Sequence, residues 1–251
     1  MIGGPLGALL GAAIGHNFDS GSWRLEPRKL DFGGQERIQT VFFTTTFLVM
    51  GHLAKVDGRV SEQEIAAARA VMVQMGLTPA QHRVAIRLFG EGKQPDFPLD
   101  AVLDQFRREC RTHFSLIRLF IEIQLTTAYA DGTLPDKKRA RLLHICDRLG
   151  LYRFQFDILD ALVRARRSGQ RAGAGGITQG SLALSSAYNI LGLTPRATDA
   201  EVKKAYRRLI NQHHPDKWVA QGLPEEMMKL ATEKTREIKA AYERIKEVRG
   251  L

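Results

Sequence analysis

Cysteine is nearly absent: Cys110 and Cys146 are the only two in 251 residues. They form no C-x-x-C pair and no zinc-ligand spacing, which excludes a disulfide scaffold and a zinc module. Each falls within a helical apolar pattern, so both are expected to be buried, reduced thiols. Acidic residues are outnumbered by basic ones, 27 to 37, giving a net charge of +10. That excess favours an acidic partner: nucleic acid, anionic lipid or an acidic protein face. A hydrophobic content of 44% is enough for a sizeable core and argues against disorder.

Charge is missing altogether from Met1 to Gly15, and no basic cluster precedes this run as in a signal peptide. Its roughly 14 apolar positions would rise about 21 Å as a helix, short of a hydrocarbon core of about 30 Å. Gly3, Gly7, Gly11 and Gly15 recur every fourth residue, the overlapping G-x-x-x-G spacing that lets two helices approach closely. Two readings are open. One is a Gly/Ala-rich leader. The other is the downstream part of a spanning, dimerising helix whose upstream part lies outside this chain. Arg24, Arg28 and Lys29 follow it, and the positive-inside rule then keeps the rest of the chain cytoplasmic.

Residues 35–165 read as helices throughout. Phe42, Phe43, Thr46, Phe47, Met50 and Leu53 recur at helical spacing. Ser61 with Glu64 predicts a capping box and a helix to Met75, stopped by Gly76. Thr78-Pro79 predicts another start, and Phe114 to Leu125 a strongly apolar central helix. Pro135 opens a helix closed by Gly150, and Phe154 to Arg166 supplies the last. An internal repeat runs through this region. Ala54, Asp57, Gly58, Gly76 and Leu77 reappear 74 positions on as Ala128, Asp131, Gly132, Gly150 and Leu151. Each copy reads helix, Asp-Gly turn, helix. Asp57 and Asp131 are read as turn residues bonding nearby amides and not as metal ligands, because the alternating acids of a calcium loop are absent.

Ser168 to Ser181 is rich in Gly and small polar residues and is expected to be a flexible linker. Beyond it, Ala187 to Leu193 reads as a short helix stopped by Gly192. Thr198 caps a helix running to about Gln212, with Val202, Ala205, Tyr206, Leu209 and Ile210 on one face. Lys203, Lys204, Arg207 and Arg208 share the other. A third helix begins near Pro224 and carries Met227, Ala231, Ile238, Ala241, Tyr242 and Ile245 as its apolar stripe. Between the two long helices lies His214-Pro215-Asp216. Pro215 fixes φ and removes an amide donor, so this turn is rigid and presents His214 and Asp216 with little entropy left to lose. No third group is available to orient His214, so the pair is not read as catalytic.

With Tyr188-Asn189-Ile190-Leu191-Gly192, Ala205 to Leu209, Glu237-Ile238 and Ala241-Tyr242-Glu243 in register around it, the tripeptide resembles the J-domain family. That resemblance implies docking of His214, Pro215, Asp216 and the Lys203, Lys204, Arg207, Arg208 face on the ATPase domain of a DnaK-type chaperone, and stimulation of ATP hydrolysis. Thr235 stands where J domains commonly carry an aromatic residue, and Trp218 is a candidate to fill the space. Zinc-knuckle repeats and a Gly/Phe-rich segment are lacking, and the J-like unit comes last. The remainder resembles the DjlA family of membrane-anchored DnaJ-like proteins, through Ile14 to Asp19, Phe42 to Gly58, Ile121 to Gly132 and Gly222-Leu223-Pro224. It implies a tellurite-resistance TerB-like middle unit and an inner-membrane segment that mediates homodimerisation.

The expected organisation is all-α: a partial membrane anchor over 1–17, a juxtamembrane stretch over 18–34, a TerB-like unit over 35–167, the linker over 168–181 and a J domain over 182–251. The expected function is a regulatory co-chaperone at the cytoplasmic face of the bacterial inner membrane. It is expected to have no enzymatic activity, cofactor, metal or nucleic-acid partner. A basic nucleic-acid-binding or a metal-binding helical protein is the alternative. The aromatics, however, lie in apolar stripes and are not interleaved with Lys and Arg as base stacking requires.

Overall fold

In a computed structural model of the chain, residues 34–173, 184–213 and 225–250 are described. They are helical with short connections. The helices are α1 (Gly34–Lys55), α2 (Glu62–Gln74), α3 (Pro79–Gly92), α4 (Leu99–Glu109), α5 (Phe114–Ala128), α6 (Asp136–Leu149), α7 (Arg153–Gly173), α8 (Leu184–Leu191), α9 (Asp199–His213) and α10 (Glu225–Arg249). The all-α expectation holds.

Local sequence sets most of these boundaries. The predicted Ser61–Glu64 capping box forms, with both reciprocal bonds made, and Thr78 with Gln81 makes a second one ahead of Pro79. The two Asp-Gly turns share one geometry: Gly58 and Gly132 have φ of 93° and 101°, a region costly for any residue with a side chain. Two features differ from the reading of the sequence. Helix α4, with Leu99, Val102, Leu103 and Phe106 buried on one face, was not delimited within the helical stretch. Helix α7 runs on to Gly173 instead of ending at Arg166. Of the residues it adds, only Gly169 and Gly173 are weak helix formers, a cost of about 1 kcal/mol each against Ala that a continuing helix can absorb.

The larger core is gathered around α1 and α5. Positions 40–51 of α1 are buried without exception. The rings of Phe42, Phe106 and Phe120 meet at centroid distances of 5.9, 6.5 and 4.8 Å, joining α1, α4 and α5. Helices α1 and α3 touch backbone to backbone. A Cβ on Gly51 would lie 2.0 Å from the Phe89 carbonyl oxygen, and one on Gly92 would lie 1.8 Å from that of Leu48. Cys110 and Cys146 are buried free thiols, as expected; burial pushes both up to about 12.

A second core is built by α8, α9 and α10 from Ala187, Tyr188, Leu191, Val202, Leu209, Ile238, Ala241 and Ile245. The two cores meet along α7 and α8. A Cβ on Gly192 would lie 2.9 Å from Leu162 Cδ2, and Met228 packs against the larger core. Among the described residues no helix is long and apolar enough to cross a membrane.

Candidate functional site

Helix α9 begins at a tight cap. Thr198 Oγ1 accepts from the Glu201 amide at 3.3 Å, and the Glu201 carboxylate accepts from the Thr198 amide at 2.7 Å. That cap fixes the helical phase. Val202, Ala205 and Leu209 turn inward and are buried, while Lys203, Lys204, Arg207 and Arg208 are exposed together on the opposite side. Tyr206 does not join the basic face. It stacks on Tyr242 of α10 with ring centroids 4.0 Å apart and planes 14° from parallel. The face is therefore four cations on a rigid helix, with its aromatic neighbour committed to the hairpin. His214, Pro215, Asp216 and Trp218 lie outside the described residues, as do Gly3, Gly7, Gly11 and Gly15. Thr235 is buried in α10.

One residue holding this unit together was not singled out in the sequence. Arg249, in the last turn of α10, donates to the Tyr188 hydroxyl, the Ala197 carbonyl (2.7 Å), the Pro195 carbonyl (2.9 Å) and the Asp199 carboxylate (2.8 Å). Its guanidinium also lies 5.1 Å from the Tyr188 ring centroid. The end of α10 is thus tied to α8, to the connection before α9 and to the first turn of α9. A terminal basic residue carries no periodic signal that distinguishes it from solvated neighbours.

The repeated Asp-Gly turns come together in the larger core, but not as isolated turns. Lys138 Nζ donates to Glu64 Oε1 at 2.6 Å and lies 3.1 Å from Asp57 Oδ2. The side chains of Lys138 and Glu64 are 3% and 4% exposed. Ser61 Oγ donates to Asp131 Oδ1 at 2.8 Å. The turn reading of Asp57 and Asp131 is therefore incomplete: each carboxylate reaches the opposite copy of the repeat. The Lys138 ammonium fills the place where Asp57 and Glu64 converge, so a cation is already supplied there by the chain. Among the described residues no group of three or more His, Cys, Asp and Glu side chains is gathered as a metal site.

Comparison with known proteins matches these units in turn. A family model for the DnaJ domain matches residues 186–248, one for tellurite resistance protein TerB matches 44–161, and one for the co-chaperone DjlA transmembrane domain matches 1–25. The chain is 48% identical to the co-chaperone protein DjlA of Coxiella burnetii over 255 residues, covering 100% of this chain and 94% of that protein. It is 43% identical to DjlA of Escherichia coli strain K12 over 258 residues, with the same coverage. With DjlA of Shewanella oneidensis the identity is 44% over 219 residues, 87% of this chain and 82% of that protein. No solved structure matches the chain. Similarity of this extent, over all three segments, makes the chain a member of the DjlA family of J-domain co-chaperones.

Proposed function

We propose that this co-chaperone binds a DnaK-type chaperone through His214, Pro215 and Asp216 together with the Lys203, Lys204, Arg207 and Arg208 face, and stimulates its ATPase. The observation that carries the reading is the basic face of α9. Four cations are held on one side of a capped helix whose other side is locked into a packed hairpin. Such a face steers toward an acidic surface without reorganising. The Asp216 carboxylate, beside Pro215, is suited to charge-assisted bonds from a partner arginine. The protein itself does no chemistry in this scheme. The commitment of Tyr206 to Tyr242 supports a protein partner over a nucleic acid, since base stacking needs an aromatic within the basic face.

The match to a transmembrane model over 1–25 supports anchoring in the inner membrane, with residues 35–167 as the TerB-like unit, 168–181, the first six of which extend α7, as the connection, and 182–251 as J domain in the cytoplasm. Gly3, Gly7, Gly11 and Gly15 then form the contact of a homodimer.

The test is single-turnover ATP hydrolysis by DnaK with the full chain in neutral detergent. Wild type raises the rate, and His214→Gln abolishes the increase with helicity unchanged. Arg207→Glu with Arg208→Glu slows association most at low salt. Undiminished stimulation by His214→Gln refutes the docking assignment. Gly7→Leu with Gly11→Leu keeps hydrophobicity while blocking backbone approach, and membrane cross-linking of the dimer is expected to fall.

A further inference from the structure

The packing register of the larger bundle gathers several helix ends in one place. Phe42 meets Phe120, and the Thr46 carbonyl accepts from Gln124 Nε2, so α1 and α5 run parallel and begin together. Arg37 Nε lies 3.5 Å from Glu109 Oε2, which brings the end of α4 beside the start of α1. His144 and Arg148 pair in step with Asp100 and Asp104, so α4 and α6 run parallel and end together. Arg107 Nη1 donates to the Arg148 carbonyl at 3.1 Å, and α7 starts just beyond, at Arg153. The segment matched to the transmembrane model stops at residue 25, and α1 begins at Gly34. Residues 26–33, even fully extended at about 3.5 Å each, span at most about 28 Å. This end of the bundle is therefore the one that the N-terminal segment holds close.

Its surface differs from the rest of the bundle. Phe114, Tyr152 and Phe154 are 46%, 71% and 60% exposed, and no other Phe or Tyr among the described residues is classed with them as exposed. Tyr152 and Phe154 stack with centroids 5.9 Å apart and planes 13° from parallel, and Ile158, also exposed, follows one turn after Phe154. A single exposed ring is ordinary, but three at one end, two of them stacked, mark an interaction surface. The charges there are unequal. Arg37 and Arg148 are committed to Glu109 and Asp104. Arg108, Arg111 and Arg153 are exposed and have no hydrogen bond or ion pair among the described residues, and Arg107 bonds a carbonyl alone. Glu36 and Asp147 are the carboxylates left in these turns, since Asp157, further along α7, answers Arg139. Four guanidiniums without a carboxylate partner thus face two carboxylates.

We propose that this end of the bundle rests on the anionic surface of the membrane that holds the N-terminal segment, with Phe114, Tyr152 and Phe154 at headgroup level and Arg107, Arg108, Arg111 and Arg153 against lipid phosphates. The inference rests on the anchoring reading and extends it from a tether to a seat. Aromatic rings with a polar edge or a wet neighbourhood settle where hydrocarbon meets headgroups. Planar guanidiniums pair with phosphate oxygens, and each one near an anionic leaflet contributes about 1 kcal/mol within a Debye length of about 8 Å. The short tether keeps the end inside that range, so a contact too weak to recruit a free protein still forms.

The full chain is reconstituted into nanodiscs of phosphatidylcholine, with or without phosphatidylglycerol, that carry a nitroxide on some headgroups. Cys110 and Cys146 are buried, so a fluorophore attaches to one introduced thiol, at Thr112→Cys on this end or at Gln63→Cys in the first turn of α2 on the opposite one. Quenching at position 112 is expected to exceed that at 63 by about threefold in the anionic discs and to drop in the neutral ones. In the Thr112→Cys background, Arg108→Glu/Arg111→Glu/Arg153→Glu is expected to lower it. Phe154→Ser, with every charge intact, is an independent check on the rings and is expected to lower it too. A chain that fails to enter the discs refutes the anchor and the proposal with it. With the chain in the discs, equal quenching at the two positions, or quenching indifferent to lipid charge and to both variants, overturns the proposal alone. Shielding of position 112 from acrylamide without nitroxide quenching assigns the face to a second copy of the chain and also overturns it.

Discussion

Glu64 of α2 and Lys138 of α6 form a buried ion pair, 2.6 Å apart and 74 positions apart in the chain. That separation equals the repeat offset, so they are one position of the repeat seen twice. Breaking a buried pair leaves a bare charge, which costs about 3 kcal/mol or more. Lys138→Ala is expected to lower unfolding stability by about that amount in urea titration. The exchange Glu64→Lys with Lys138→Glu keeps the pair and should recover most of the loss. At least about 1 kcal/mol stays missing, because Glu64 also accepts from the Ser61 amide in the α2 capping box and because the carboxylate at 138 then faces Asp57. An exchange variant no more stable than Lys138→Ala contradicts a stabilising role for the pair.

The glycines of α3 separate two effects of one substitution. Gly92→Ala places a methyl group against the Leu48 carbonyl, so α1 and α3 must part, with an expected cost of about 3 kcal/mol. Gly90, two residues earlier in the same helix, has nothing within 4 Å of the added carbon. Gly90→Ala is expected to stabilise by about 0.5–1 kcal/mol through the unfolded chain. Thermal melts of the two variants should move in opposite directions.

Arg249, half-buried, is expected to be the most sensitive charged position of the hairpin unit. Arg249→Ala removes donors to α8, to the preceding connection and to α9 at once. A lysine is a single point charge and cannot span them, so Arg249→Lys should restore little. Amide exchange in α8 would report the loss directly, and protection equal to wild type in Arg249→Ala would contradict the clasp.

His52 lies in α1 against Phe97, ring centroids 5.4 Å apart, with Nε2 buried and unbonded. Burial first, and then the positive charge of Arg141, lower its pKa from 6.5 to about 4. The unfolded chain therefore binds a proton that the fold refuses between pH 6.5 and 4. Stability contributed by neutral His52 is complete above pH 6.5 and declines as pH falls through this window. Partial exposure reduces the effect to about 1 kcal/mol. Melting temperatures at pH 7 and pH 5 should differ less for His52→Gln than for wild type.

Periodicity and capping residues made most helices legible, because a Ser or Thr with Glu or Gln three positions on states its own geometry. The hairpin unit was legible as a whole, since its short motifs lie in register. Helix α4 escaped because four buried residues in a polar context give a narrow stripe. The Glu64–Lys138 pair escaped for another reason: the repeat was read from its identical residues, and this position matters because its residues differ. The basic, aromatic end of the bundle draws on α1, α4, α5, α6 and α7, and no spacing within one helix announces it.

Helix α7 belongs to both cores. Phe156, Leu159 and Val163 bury one side of it in the larger bundle, while Leu162 meets Gly192 at the end of α8. A single rod thus serves as the outer wall of one unit and the mounting plate of the other. Rotation of α7 by one residue's angle, about 100°, would carry Leu162 away from Gly192 and leave the hairpin without its seat. The heading of the basic face relative to the bundle is accordingly written into the phase of α7.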